Sequence, residues 1–259
     1  MLNDKERAGY EELRAVIARL RAPDGCPWDR EQTHASLRPY IIEEAYEVVA
    51  LLDAGETSKL PEELGDLLFQ VLLQTQLAEE AGEFEMSDVL SGLAQKLIRR
   101  HPHVFGDARL ESAEQVIEQW DKLKQRERTD DESVLANVPA AMPALSYAQT
   151  LLRRAESAGF AWPHRDDILA KLTEEIAELA AAPDKDTAAE EFGDLLLTVA
   201  DYARSLGIDA EEALRQAGHK FRRRFRAVET SARDRAIDMH AASREARVAL
   251  WDEAKTEAG

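Results

Sequence analysis

Two pairs of carboxylates recur in the same order in two parts of this 259-residue sequence. Each part has two glutamates three residues apart, followed by a Glu and an Asp three apart. The first set is Glu44, Glu47, Glu63 and Asp66, and the second set is Glu175, Glu178, Glu191 and Asp194. Residues three apart share one face of a helix, so two neighbouring helices can bring the four side chains of a set together. Four clustered like charges repel strongly unless a multivalent cation binds them, so this spacing predicts a metal site in each part.

The side chains of both sets offer only oxygen ligands. Hard oxygen ligands select Mg²⁺, with Mn²⁺ as a substitute. A di-iron site is disfavoured because such bundles use Glu-x-x-His, and no His follows a candidate Glu by three residues. The alternative is that these are solvated glutamates on amphipathic helices. Against that alternative, the pairs recur, and one lies beside the apolar run LLFQVLL, which predicts a helix buried nearly all round.

A Lys and an Arg, four residues apart, follow each acidic set. These pairs are Lys96 with Arg100 and Lys220 with Arg224. Side chains four apart share a helix face and can bind one anion. Carboxylates that hold Mg²⁺ beside a basic pair suit a polyphosphate, because the metal bridges phosphate oxygens and the cations neutralise the remaining charge. A solvated cationic face, or salt bridges to the many glutamates, is the alternative for these residues.

Some side chains near these motifs are weaker candidates. Lys59 stands one turn before the second acidic pair of the first set and could add a phosphate contact. Trp120 and Trp251 could stack on a base or anchor the last helix of each half. The H-x-H of His101 and His103 is a weak metal signal, because a site needs further ligands, so loop or packing roles are expected.

Helical periodicity runs along nearly the whole chain and predicts an all-α fold. No Val/Ile/Thr-rich run alternates with period two between turn residues. The order of motifs before and after the segment 129–143 is the same, which predicts two tandem domains, 1–128 and 144–259, joined by that segment as a linker. The predicted helices span residues 5–21, 37–54, 60–81, 86–100, 112–127, 143–157, 166–181, 187–205, 209–230 and 240–256.

The amino-acid composition limits the kinds of partner that the protein can bind and the cellular compartment in which it is expected. The formal net charge of −18 argues against general binding to nucleic acid or anionic membranes, which need a basic footprint. The sequence has no apolar run of the length a membrane span requires, and its charged N-terminus does not look like a secretory signal. The single cysteine, Cys26, excludes an internal disulfide. We therefore expect a cytoplasmic protein.

The combination of motifs is characteristic. The sequences EEAYE with EELGD, and EEIAE with EEFGD, occur together with GCPWDREQTHASL and RRHPHVFGD. This combination closely resembles the MazG family of nucleoside triphosphate pyrophosphohydrolases, within the all-α NTP pyrophosphatase superfamily. The resemblance covers nearly the whole chain, including the tandem layout. It implies an all-helical tandem enzyme, usually a homodimer, that binds Mg²⁺ and hydrolyses nucleoside triphosphates to NMP and pyrophosphate.

The resemblance also implies roles for residues. The eight acids would be metal ligands, and Lys220, Arg224 and Trp251 fall where family members bind the triphosphate and the nucleotide. Their first-repeat counterparts are Lys96, Arg100 and Trp120. The leading glutamates of the two EExxE motifs, Glu43 and Glu174, are candidates for orienting or deprotonating the attacking water. In two-copy members the C-terminal domain can be the active one, but this N-terminal copy has no damaged motif.

Two other functions are compatible with the sequence. A regulatory protein could bind Mg²⁺ and nucleotide without turnover, and a helical scaffold could carry the same acids as solvated side chains. The recurring acids argue against the scaffold. The sequence does not determine the preferred base or sugar.

Overall fold

A computed structural model describes residues 3–110, 112, 115–116, 119–120, 133–162 and 164–257 of the chain. All regular secondary structure in these ranges is helical, which confirms the predicted all-α fold. The chain divides into two compact units, Met1–Trp120 and Asp121–Gly259. Within the described residues, no helix combines the length and the apolar character needed to cross a bilayer.

The first unit is built around a helical hairpin. Asn3 and Glu6 form a capping box at its first helix, and Gly55 in a left-handed conformation, with φ 69°, ends the third. The short turn after Gly55 places the third and fourth helices side by side. The core holds Ile17, Leu37 and Leu72. The helices are α1 (Asp4–Arg21), α2 (Pro27–Glu31), α3 (Arg38–Ala54), α4 (Leu60–Ala81), α5 (Met86–Arg100) and α6 (Pro102–Phe105).

The second unit repeats the hairpin. Asp184 and Asp209 each accept a hydrogen bond from a backbone N–H three residues on and so begin two of its helices. A second buried cluster, which includes Val228 and Leu250, joins the last two helices. The helices are α7 (Ala144–Ser157), α8 (Arg165–Ala181), α9 (Lys185–Ser205), α10 (Ala210–Asp234) and α11 (Arg244–Glu257). Helix α9 packs against α8 and α7, and α10 packs against α11.

Most predicted helices agree with the structure within a few residues, but there are differences. The short helices α2 and α6 were not predicted, because one turn that begins at a proline carries no periodicity. The last helix begins at Arg244 instead of 240, since Asp238 holds a turn by accepting from His240 N and Ser243 then accepts from Ala246 N. Most of the predicted helix 112–127 lies outside the described residues, as do positions 129–132 of the predicted linker.

One expectation about α4 was wrong. The sequence predicts a helix buried nearly all round, yet Leu64, Leu68 and Val71 are 45–47% exposed. Only the C-terminal half of α4, which includes Leu72, Leu73 and Leu77, enters the core. The N-terminal half packs on α3 with one face and leaves an apolar stripe uncovered within this unit.

Gly25 provides a test of the turn between α1 and α2. A Cβ atom at Gly25 would lie 2.2 Å from the carbonyl oxygen of Leu20 and 2.5 Å from that of Arg19. Neither backbone atom can move without breaking the turn, so we expect Gly25→Ala to lower the free energy of unfolding of the first unit by more than about 2 kcal/mol. Gly9→Ala is the control, because a Cβ there meets no atom within 4 Å and alanine favours the helix interior. Urea denaturation of both variants checks this, and equal stabilities would contradict it.

Candidate metal and nucleotide site

The hairpin of α3 and α4 brings three predicted acids together. Carboxylate oxygens of Glu44, Glu63 and Asp66 all lie within 4.8 Å of one another. Glu44 and Glu63 are half-buried and Asp66 is exposed. Glu47, the fourth predicted acid, lies close enough to both Glu44 and Glu63 to raise the pKa of each. The whole first set therefore lies in one place.

This first cluster carries unbalanced negative charge. Burial raises the pKa of Glu44, and the nearby carboxylates of Asp66 and Glu47 raise it further. Burial also raises the pKa of Glu63, again with a contribution from Glu47. No Lys or Arg forms an ion pair with any of these four acids within the described part of the chain. A bound cation would remove this repulsion.

The hairpin of α8 and α9 repeats the arrangement. Oxygens of Glu175, Glu178 and Glu191 lie within 4.8 Å of one another. Burial raises the pKa of Glu191, and so do the charges of Glu178, Glu175 and Asp194. Asp194, the fourth predicted acid, thus lies close enough to act on the cluster without joining the group of three.

Glu175 is the acid whose surroundings point most directly to a bound cation. Its exposed fraction is only 3%, and its Oε2 atom is buried with no hydrogen-bond partner in the described residues. A buried carboxylate oxygen without a partner is costly. Oxygen-only clusters with such an atom fit a hard divalent cation such as Mg²⁺ or Mn²⁺.

Lys171 was missed by the sequence reasoning. Its Nζ atom lies 2.8 Å from Glu174 Oε1, 2.8 Å from Glu175 Oε1 and 4.0 Å from Glu178 Oε2. The hydrogen bond with Glu174 is the largest cause that raises the pKa of Lys171, followed by the one with Glu175. The sequence did contain a signal for this contact. Lys171 lies three residues before Glu174 and four before Glu175, so the three side chains share one face of the helix. Aligning the two EExxE motifs puts Tyr40 at the corresponding position of the first repeat.

The two candidates for handling water differ in their surroundings. Glu43 and Glu174 are both exposed beside the clusters. Glu174 accepts a hydrogen bond from Lys171, whereas no side-chain partner of Glu43 occurs within the described ranges. Both side chains can be reached by water.

The basic pairs lie on α5 and α10. Lys220 is exposed, and Arg224 is half-buried with its Nε atom buried and without a hydrogen-bond partner among the described residues. Neither forms an ion pair in the described part of the chain, so salt bridges to glutamates do not account for them. In the first unit Lys96 is exposed and Arg100 is half-buried. Lys59 lies 2.6 Å from Glu56, so it is held outside the acid cluster in this structure.

Both tryptophans lie in aromatic groups. The Trp251 ring is 5.4 Å from that of Phe221 and packs against the core of the second unit. The Trp120 ring is 5.7 Å from that of His101, which in turn is 5.6 Å from His103. The acidic groups that could hold a metal contain no histidine among the described residues.

The raised pKa of Glu44 predicts a pH-dependent stability. Its carboxyl releases a proton less readily in the folded chain than in the unfolded one, so the chain loses stability as the pH rises through the folded-state pKa. We expect Glu44→Gln to stabilise the metal-free protein by about 0.5 kcal/mol at pH 7.5, the scale of a like-charge pair on a helix, and the gain to vanish near pH 4.

Glu79, also on α4, provides a control because its pKa is shifted in the opposite direction to that of Glu44. The hydrogen bond from Arg14 lowers the pKa of Glu79, so its contribution is present above the ordinary carboxyl pKa and is lost as the pH falls. Glu79→Gln should therefore destabilise the protein at pH 7.5, and this loss should become smaller as the pH falls below the ordinary carboxyl pKa. Urea denaturation in EDTA at the two pH values measures both effects, and the same sign for both variants at pH 7.5 would refute this account.

Comparisons with known proteins agree with this geometry. The family model described as the MazG nucleotide pyrophosphohydrolase domain matches the chain twice, at residues 32–105 and 164–228. Each match contains one acidic hairpin and one basic pair.

Similar proteins match between 56% and 95% of the chain. The nucleoside triphosphate pyrophosphohydrolase/pyrophosphatase MazG of Thermotoga maritima is 42% identical over 221 residues, which are 85% of each chain. The nucleoside triphosphate pyrophosphohydrolase of Escherichia coli (strain K12) is 40% identical over 253 residues, 95% of this chain and 96% of the relative. A protein of the same name from Mycobacterium tuberculosis is 40% identical over 147 residues, 56% of this chain and 44% of the relative. With two matched domains that together span more than half of its length, the chain belongs to the MazG family of nucleotide pyrophosphohydrolases.

Proposed function

We propose that this protein is a Mg²⁺-dependent nucleoside triphosphate pyrophosphohydrolase that converts an NTP or dNTP and water to NMP or dNMP and pyrophosphate. The observation that carries the proposal is the pair of oxygen-only acid clusters, one of which has a buried carboxylate oxygen of Glu175 without a partner. The names of the relatives support the activity. The choice of Mg²⁺, the attack on the α-phosphorus and a broad substrate range are our own extensions.

We assign the metal ligands to the predicted acids. In the second repeat they are Glu175, Glu178, Glu191 and Asp194, and in the first repeat Glu44, Glu47, Glu63 and Asp66. When bound, the ion supplies a Lewis acid that polarises phosphate oxygens and lowers the pKa of water. Mn²⁺, which also prefers oxygen ligands, is the expected substitute.

The reaction needs a group that accepts the proton of the water and cationic side chains that hold the phosphates. Glu174 or Glu43 orients the water and takes its proton as the water oxygen bonds to the α-phosphorus. The bond from that phosphorus to the bridging oxygen breaks, and the bridging oxygen leaves with pyrophosphate. Lys220 and Arg224 hold the β- and γ-phosphates and stabilise the charge that develops on the leaving group. Lys96 and Arg100 take the same role in the first repeat, where Lys59 adds a further contact.

Trp251 and Trp120 are proposed to contact the base. Each already lies against another aromatic ring at a tilted angle, so a base would extend an existing aromatic group. Stacking alone tolerates every base, which favours a broad substrate range in housekeeping of the nucleotide pool.

Assembly and compartment belong to the same proposal. The exposed apolar stripe of Leu64, Leu68 and Val71 supports a homodimer, because such surface is ordinarily covered by protein. The acidic composition supports a cytoplasmic enzyme that acts on free nucleotides instead of nucleic acid or membranes.

Product analysis tests the reaction. The protein is incubated with mixed NTPs and dNTPs, with and without Mg²⁺, and the products are resolved by anion exchange. We expect NMP and pyrophosphate only with Mg²⁺. NDP and phosphate would contradict attack at the α-phosphorus. Binding of Mg-NTP without turnover would favour the regulatory alternative, and no effect of Mg²⁺ on binding or thermal stability would favour the scaffold.

Separate substitutions in the two clusters test the ligand assignment. We expect Glu175→Gln or Glu44→Gln to reduce kcat by more than about 100-fold in the repeat that catalyses, since even outer partners of metal ligands are worth 10–100-fold. Steady-state kinetics of each variant shows which repeat that is. Full Mg²⁺-dependent turnover in both variants would overturn the assignment.

The proposed phosphate-binding role of Lys220 and Arg224 can be tested against a matched control on α10. Lys220→Ala and Arg224→Ala each remove a charge from one helix face, whereas Arg222→Ala removes the same charge from the opposite face. If the second repeat is active, we expect each of the first two to reduce kcat/KM by about tenfold or more, because charged hydrogen bonds contribute roughly 1.5–3 kcal/mol. Arg222→Ala should stay within about twofold of the wild type, and equal losses in all three would argue for a general electrostatic effect.

A further inference from the structure

We propose that Lys171 is a built-in counter-ion of the second acid cluster and makes this site bind divalent metal ions more weakly than the site of the first repeat. The proposal rests on the metal sites assigned above but not on the hydrolysis of any nucleotide. It concerns the free protein, before a nucleotide binds.

The contacts of Lys171 define its role. Its ammonium lies 2.8 Å from Glu175 Oε1 and 4.0 Å from Glu178 Oε2, and both glutamates belong to the cluster. The Glu175 side chain is 4% exposed, whereas that of Lys171 is 31% exposed. The cation therefore reaches from the surface onto the most buried carboxylate of the site and neutralises one of its two oxygens.

A metal ion entering the second site meets this fixed positive charge. To bind both oxygens of Glu175 it must displace the ammonium, and otherwise it binds beside a like charge. Either route lowers metal affinity relative to a cluster without a cation. The buried Oε2 of Glu175, which has no partner among the described residues, leaves one position open to the ion.

Among the described residues, no cation contacts the first cluster as Lys171 contacts the second; Lys59 acts on Glu63 only through space and is paired with Glu56. Tyr40 occupies the position of Lys171, and its ring lies 5.7 Å from that of Trp28 and packs against the core of the first unit. The described residues contain no Lys or Arg in an ion pair with this cluster. The same acids therefore carry their full charge toward an incoming cation, so the first site should fill at lower metal concentration.

Mn²⁺ titration followed by EPR measures the affinities of both sites without any nucleotide. Glu191→Gln disables the second site and leaves the first, and Glu63→Gln does the reverse. The double variant gives the background from other surface acids. We expect the protein with only the first site to bind Mn²⁺ at least about tenfold more tightly than the protein with only the second.

Substitution of Lys171 tests the cause. In the Glu63→Gln background, Lys171→Met should increase Mn²⁺ affinity by at least about tenfold, while Lys171→Arg keeps the charge and should leave the affinity low. Lys185→Met makes the same change in net charge away from the cluster and should have little effect. An unchanged or weaker affinity after Lys171→Met overturns the proposal.

The reciprocal change tests the first site. In the Glu191→Gln background, Tyr40→Lys should weaken Mn²⁺ binding by about tenfold, and Tyr40→Met controls for the lost packing against Trp28. Thermal melts with and without Mn²⁺ verify folding, and Lys171→Met should enlarge the rise in Tm that Mn²⁺ produces. Equal affinities of the two sites would overturn the proposal.

These outcomes separate this proposal from the proposed function. Mn²⁺ binding with the expected asymmetry but no hydrolysis would leave the role of Lys171 intact and remove only the activity. Hydrolysis together with equal affinities would do the opposite. An absence of Mn²⁺ binding above the background would overturn both the metal assignment and the role of Lys171.

Discussion

The repulsion between carboxylates held on adjacent helices is the constraint on which the site depends. Packing of α3 on α4, and of α8 on α9, places acids side by side that would separate if the helices were free to rotate. Helix α4 cannot rotate because apolar residues in its C-terminal half are already buried, such as Leu72 and Leu73 at 1% and 0% exposure. Burial of such side chains is worth roughly 1.5–3 kcal/mol each, more than the local repulsion of half-exposed charges. The packing of the hairpins thus keeps the carboxylates close together despite their repulsion, and a bound cation would remove that repulsion.

The division of α4 into two halves follows from this constraint. Its C-terminal half is in the core, and its N-terminal half carries Glu63 and Asp66 beside an exposed apolar stripe. The second repeat has the same stripe at Phe192, Leu196 and Val199, each 128 residues after its first-repeat counterpart and 42–50% exposed. Duplication therefore preserved the apolar edge of each hairpin together with the acids. An edge kept beside the acids in both repeats supports the proposal that another copy of the chain covers it.

Sequence reasoning predicted what depends on local spacing and missed what depends on a difference between the repeats. The acids share a helix face at intervals of three, so their convergence followed from the period of the helix alone. Lys171 was missed because the repeats were compared for what they share, and Tyr40 stands in its place. The exposure of Leu64 was not predictable either, since an apolar run does not tell which of its faces another element will cover. The partial burial of Arg224 likewise depends on how α10 packs, which its own sequence does not specify.

The repeats keep the acids and the apolar edge but differ in several other residues. Beyond the acids, Gln70 lies one turn after Asp66 with a buried Oε1 atom that has no partner among the described residues, whereas its counterpart Thr198 donates its hydroxyl to Asp194 O at 3.0 Å. The aromatic groups differ as well, because the Trp251 ring contacts a phenylalanine and the Trp120 ring contacts a histidine.

Metal ligands are constrained by charge and number, so a duplicated site can hold the same ion only if its acids stay. The neighbours are constrained only by packing and are free to diverge. The exchange of Tyr40 for Lys171 changes the charge beside the same carboxylates. If both clusters bind the same ion, we expect their unequal surroundings to give unequal affinities, because the free energy of a bound cation includes the charges within a few ångströms of it.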